Sequence, residues 1–252
     1  MVDTTTDQVV ATVPVPGTAD ELALWTPAHG ARSVPSASAR PALVRAVPVS
    51  GAALAQGPSQ VELTFAAPLD PRRSSIVVVD DSMAVLNNPA LTTVSGPHRT
   101  ELRTRLHRRL RPGPYTVAWT AATPDGPLVR QAYLFTVGPP QPPILPDRPV
   151  SLVHRAGPLT IWLTAPSDRV AHQIYTITLS ASGRPVSGAQ VHLVGRALEM
   201  DMGEVPAVAR AVAPGRYVAV ADVVMASDWQ VVVTVQRGRV VTCTAFSYVA
   251  HY

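Results

Sequence analysis

The chain contains a single cysteine, Cys243, so no disulfide can close within it and the redox compartment is left open. That residue sits in the alternating run VVTCTAFSYV and reads as a buried, inert thiol. Lysine is missing altogether, and all 21 basic side chains are arginine. Charged residues are sparse at 15% and aromatics sparser at 5%. No apolar run is long enough for a membrane-spanning helix. A signal peptide is not expected: residues 1–20 have neither a basic start nor an apolar core. Ala37-Ser38-Ala39 has the look of a cleavage site, yet Glu21, His29 and Arg32 occupy the stretch where an apolar run belongs. Catalytic motifs are missing too, with no G-x-S-x-G elbow, H-E-x-x-H, glycine-rich phosphate loop or C-x-x-C. His29, His98, His107, His154, His172, His192 and His251 are scattered without metal-ligand spacing, so no catalytic residue is assigned and an enzyme is not expected. A net charge of +4 does not specify nucleic acid.

Valine, alanine, threonine and proline are plentiful, a composition suited to short strands and many turns. At 252 residues the chain is long enough for two domains with separate cores. Residues 1–38 lack sustained periodicity and read as an extended or disordered arm, with 21–25 (ELALW) as its anchoring point. A first domain follows at 39–137. GPPQPPILPDRP at 138–149 carries six prolines, which withhold backbone donors, so it reads as a semi-rigid spacer. A second domain covers 150–252. Its strand candidates are 159–164, 172–181, 189–195, 216–224, 229–235 and 239–249, and regular short strands at this density predict an immunoglobulin-like β-sandwich.

In the first domain 61–65 (VELTF) and 75–80 (SIVVVD) read as strands. Residues 98–111, HRTELRTRLHRRLR, fit a strand with Leu102, Thr104 and Leu106 facing in, or a helix with Leu102, Leu106 and Leu110 stacked. The following Pro-Gly-Pro favours the strand, whose outer arginines make a basic face between Arg99 and Arg111. Such a face suits an anionic membrane surface; without interleaved aromatics it does not suit nucleic acid. YTVAWTAATPDGPLVRQAYLFTV at 115–137 reads as a hairpin around Thr-Pro-Asp-Gly, with Tyr115, Val117 and Trp119 on one face.

This hairpin resembles the closing hairpin of the CopC-like copper-resistance family, with its Y-x-V-x-W and Asp-Gly-His turn. Leu43, Pro48, Gly51, Leu54, Pro58, Val61, Leu63 and Phe65 fall in register with the family opening, so the resemblance covers 40–137. It implies a β-sandwich and a Cu(II) site built from an N-terminal His and the Asp and His of the turn. Here the Asp is Asp125, but the histidine positions hold Arg40 and Pro127. A guanidinium has no lone pair to offer and proline has no side-chain donor. Asp125 alone is a poor Cu(II) ligand set, and its expected role is in its own turn.

Residues 185–235 resemble the YtkA-like (FixH-like) domain, through Met200–Gly203, Pro214–Tyr217 and Ala226–Trp229. Thioether sulfur suits Cu(I). Met200 and Met202 would share a face in an extended strand, with His192 and Met225 as further ligands. The competing reading has the methionines filling core gaps and His192 on the surface. Two functions are therefore expected. The first is an extracytoplasmic copper-handling protein with Cu(I) as cargo and a protein partner in the cell envelope. The second is a metal-free assembly subunit that uses its sandwiches as docking modules.

Overall fold

The computed structural model describes residues 40–88, 91–96, 98–107, 109–139 and 145–252, and the backbone of 2–3 and 8–9. The arm expected at 1–38 otherwise lies outside the described residues, as does 140–144 of the spacer. Strand β1 (Val2–Asp3) pairs antiparallel with β2 (Gln8–Val9).

The first domain is a two-sheet sandwich. Its strands are β3 (Leu43–Val47), β4 (Ala52–Leu54), β5 (Gln60–Phe65), β6 (Ser75–Val79), β7 (Thr92–Ser95), β8 (Thr100–Arg105), β9 (Gly113–Ala122) and β10 (Leu128–Val137). One sheet runs β3-β5-β8-β7 and the other β4-β10-β9-β6. Period-two alternation places Val61, Leu63, Phe65 and Leu102 against Ile76, Val78, Tyr115, Val117 and Trp119, all buried. Within 98–111 the strand is Thr100–Arg105, with Thr100, Leu102 and Thr104 inward, while Leu106, expected to face in, is half-buried. Among the described residues no further strand extends the sheet beyond β6, and the Asn87 carboxamide takes that place. It accepts from Val78 N at 2.7 Å and donates to Ile76 O at 2.9 Å.

The second domain comprises β11 (Val150–Ala156), β12 (Leu159–Ala165), β13 (His172–Ala181), β14 (Arg184–Pro185), β15 (Gln190–Ala197), β16 (Val205–Ala213), β17 (Arg216–Asp222), β18 (Ser227–Arg237) and β19 (Val240–Ala250). These strands form one sheet in the order β11-β12-β13-β17-β16-β15-β18-β19, with β14 beside β13. The sheet doubles back because β16 changes partners along its length. Its first half pairs with β15, and a bulge between Ala211 and Ala213 accompanies its pairing with β17. The outermost strands then meet, and His154 of β11 stacks on Phe246 of β19 at 4.8 Å. Trp229, Tyr175, Tyr217 and Phe246 fill the interior.

The domains pack directly against each other, which the expectation of a proline spacer did not anticipate. Ala132 and Leu134, on the face of β10 away from its own core, belong to the second domain's hydrophobic cluster. Ala118 of β9 packs on that cluster, and the buried Thr116 hydroxyl donates to Val224 O. Sheet β9-β10 is therefore covered on both faces at its centre.

Candidate metal centre at the domain junction

The turn between β9 and β10 closes with Gly126 N donating to Thr123 O at 3.2 Å. Asp125 lies exposed in that turn. The Arg73 guanidinium donates to the turn carbonyls of Pro124 and Gly126, each at 3.3 Å. Arg40 and Pro127 line one cleft of about 590 Å³, which also holds Arg130, Asp201 and Glu204. The two histidine positions of the resembled family thus line one cleft, but they hold a cation and a proline. No group of three His, Cys, Asp or Glu gathers for a metal among the described residues.

One edge of β10 is open within its own domain before it reaches β4, and the second domain occupies it. Glu204 N donates to Arg130 O and Ala132 N to Glu204 O, both at 3.0 Å. Leu134 N donates to the Asp222 carboxylate at 2.8 Å. Asp222 is 2% exposed and also accepts from Ser50 Oγ at 2.7 Å and His172 Nδ1 at 2.5 Å. The His172 ring lies over Gly51, where a Cβ would come within 2.5 Å of the imidazole. Serine, histidine and aspartate do meet here, but the acid stands between the other two. The hydroxyl donates to the carboxylate rather than to the imidazole, so no base activates it.

Residues 198–203 lie between β15 and β16 and are not a strand. Met202 N donates to Met200 O at 3.0 Å, a turn across two residues that removes the period-two alternation. The expectation of Met200 and Met202 on one extended face is corrected accordingly. Met200 is exposed, while Met202 is half-buried against the second core and lines a cleft of about 270 Å³ with Trp119, Ala118 and Arg130. Asp201, itself exposed, pairs with Arg130 of the first domain.

Met225 is 4% exposed, in the segment between β17 and β18. Leu198 N donates to Asp228 O and Ser227 Oγ to Glu199, so this segment and that of Met200 and Met202 adjoin at one end of the domain. Met83 of the first domain packs on the same cluster. Tyr252 joins the two sides there: burial, with Asp81 and Asp80 nearby, pushes its phenol pKa up. His192 is not part of this grouping. It lies five residues before the end of β15, roughly 16 Å along an extended strand. Cys243 is exposed, which corrects its reading as a buried thiol.

Residues 43–138 match the family model for the CopC domain. This segment is a CopC domain. Among solved structures, CopC from Methylosinus trichosporium OB3b is 26% identical, with 41% of this chain and 99% of that chain covered and a TM-score of 0.33. PcoC, a methionine rich copper resistance protein from Escherichia coli, is 25% identical, with 39% and 99% covered and a TM-score of 0.32. No curated protein matches the chain. The CopC domain ends where β10 ends, and its open β10 edge is the surface the remainder of the chain uses. Sequence reading missed this junction. Its signal was the run Ala132–Phe135, four apolar residues in succession, as in strands buried on both faces. No helix of the described residues is long and apolar enough to cross a membrane.

Proposed function

We propose that this chain is an extracytoplasmic copper-handling protein in which residues 150–252 form a YtkA-like (FixH-like) domain and the CopC-domain Cu(II) site has been lost. The cargo is Cu(I), held by methionine thioethers and passed to a protein partner in the cell envelope by ligand exchange. The observation that carries this reading is that Met225 belongs to the hydrophobic cluster on which Met202 and, from the CopC domain, Met83 both pack, with the segments of Met202 and Met225 adjoining. Thioethers are neutral and polarizable, so they suit a soft monovalent ion in an apolar junction. Met200, exposed at the rim, is the entry ligand. Asp125 takes no part, because Arg40 and Pro127 supply no donors beside it.

The basic face is a second contact surface. Arg103 is paired with Glu101 and Glu62, while Arg99, Arg105, Arg109 and Arg111 stand exposed and suit an anionic membrane surface. Replacement of the family ligands by Arg40 and Pro127 favours the second reading, a metal-free assembly subunit.

Anaerobic Cu(I) titration against a chromophoric chelator separates the two. Capture by the parent protein that is weakened in Met200→Leu/Met202→Leu supports the thioether site. Absence of capture by the parent overturns copper handling and leaves the assembly subunit.

A further inference from the structure

Strands β11, β12, β13 and β17, with the bulged end of β16, turn one face of the second domain outward, and their register lays it out in rows. Residues directly opposite on antiparallel strands point to the same side. Val153, Trp162, Thr178 and Arg216 form one such row. Arg155 stands one row to one side of it, while Ile174 and Val220 face each other two rows to the other. Arg210 lies between them, opposite Val218, and the remaining positions are serine and threonine. The alternate residues Ile161, Leu163, Tyr175 and Ile177 are buried, so the rows are the outer face, about 20 Å along each side. Trp162 is 39% exposed and Ile174 53%, with Val153 and Val220 also exposed. The face ends at the His172–Asp222 row, over which Ser50 and Gly51 of the CopC domain lie. The open surface is thus continuous with the domain junction.

Charge selects the occupant. No carboxylate stands in the open rows, and among the described residues no hydrogen bond or ion pair engages Arg155, Arg210 or Arg216. A second copy packed face to face would bring the same unpaired arginines together from both sides. A guanidinium grips phosphate with two parallel N–H donors, so the arginines call for a phosphate-bearing partner. Nucleic acid or free phosphate has no use for Val153, Ile174 and Val220. Neither cleft of the junction is lined by these residues, so nothing here encloses a small molecule. An anionic lipid surface answers both halves of the face. It presents phosphates to the arginines and an acyl boundary to the aliphatic side chains, and an exposed tryptophan sits at its headgroup level.

We propose that this face of the second domain is a contact surface for anionic lipid membranes, with Trp162, Ile174 and Val220 entering the headgroup boundary and Arg155, Arg210 and Arg216 holding lipid phosphates. It is separate from the arginines of β8 in the CopC domain, whose face is basic without an aromatic. It does not rest on copper handling. Attraction by the arginines brings the face to the surface, and burial of the apolar side chains keeps it there.

The test is co-sedimentation of the full chain with vesicles of phosphatidylcholine, alone or mixed with an equal part of phosphatidylglycerol. The parent should sediment with the mixed vesicles and not with phosphatidylcholine alone, and added salt should weaken it. Trp162→Thr/Ile174→Thr should bind roughly tenfold more weakly, and so should Arg155→Gln/Arg216→Gln. Arg99→Gln/Arg105→Gln is the control for the basic face of the CopC domain. A parent that ignores the anionic vesicles overturns the proposal. So does binding that the face variants leave unchanged, which assigns the contact to another surface. A dimer on size exclusion that Trp162→Thr/Ile174→Thr disperses assigns the face to a second copy and overturns it too. Lipids brominated on their acyl chains give a readout that does not depend on the double variants folding. Trp119 and Trp229 are buried, so the bromines should quench a part of the parent's fluorescence that Trp162→Phe lacks. Equal quenching of the two proteins overturns insertion of Trp162 and with it the proposal.

Discussion

The Asp222 carboxylate accepts the Leu134 amide proton at 2.8 Å, so the stretch of β10 left open by β4 ends on a buried acid of the neighbouring domain. Asp222 takes two more donors, from Ser50 and His172, and its oxygens are thereby satisfied inside the junction. Asp222→Ala leaves the Leu134 amide buried and unpartnered, and a loss of about 2–4 kcal/mol is expected. Asp222→Asn keeps an acceptor oxygen and should lose less. Urea denaturation measures both, and an alanine variant within about 0.5 kcal/mol of the parent would remove Asp222 from the account of the junction.

Gly203 has φ +90°, and a Cβ there would sit 2.8 Å from Gln131 N and 2.9 Å from Arg130 C. Glycine in the Met-x-Met-Gly segment is therefore needed to bring Glu204 onto β10. Gly203→Ala is expected to destabilise by more than about 1 kcal/mol and to speed hydrogen exchange at Ala132, whose amide donates to Glu204 O. Unchanged exchange at Ala132 would show that the contact tolerates a side chain.

Asn87 caps the β6 edge, and it is 2% exposed with both ends of its carboxamide engaged. Its oxygen accepts from Val78 N, and its two amide hydrogens are shared among Ile76 O, Asn88 O and Thr104 Oγ1, the last two at 3.1 Å. Asn87→Ala should cost about 2–4 kcal/mol, since it strands buried groups on β6 and β8. Asn87→Asp should fail as well, because a carboxylate cannot donate to Ile76 O. Full stability of the aspartate variant in thermal melts would contradict this.

The Tyr175 and Tyr248 hydroxyls meet at 2.7 Å inside the second domain. Burial pushes the Tyr175 phenol up to about 12, and burial raises that of Tyr248 further. An unfolded tyrosine ionises near 10, so the folded state holds its proton where the unfolded chain has released it. Stability is thus complete below about pH 10 and falls as pH rises to about 12, by about 2–3 kcal/mol for Tyr175 alone. Phenolate absorbance should lag behind that of a denatured control over this range. Coincident titration curves would show both phenols to be accessible.

Strands were legible where alternation was undisturbed. The 172–181 candidate coincides with β13, and the 239–249 candidate with β19 to within a residue at each end. Strands β3, β4, β7, β11, β14 and β16 of the two domains were missed. β3, β4, β7 and β11 lie at sheet edges, β14 is two residues long, and β16 runs Val-Pro-Ala-Val-Ala-Arg-Ala-Val-Ala, whose small residues barely distinguish one face from the other. The candidate site was legible by residue type and not by geometry. Met200 and Met202 lie in a turn because the chain must cross from β15 to β16 there. Cys243 faces out because Thr242 and Thr244, not the thiol, are its strand's buried residues at that point. Alternation alone could not choose between the two faces of a strand as apolar as β19.

The covered edge of β10 also sets a problem of timing. Synthesis delivers the CopC domain first, with Arg130, Ala132 and Leu134 lacking the partners that Glu204 and Asp222 later provide. At about 5–20 residues per second, the rest of the chain takes roughly 5–20 s to emerge. During that interval the nascent domain presents an open stretch of strand edge beside an apolar face, a template for whichever strand arrives next. Separate expression of the CopC domain makes that interval permanent.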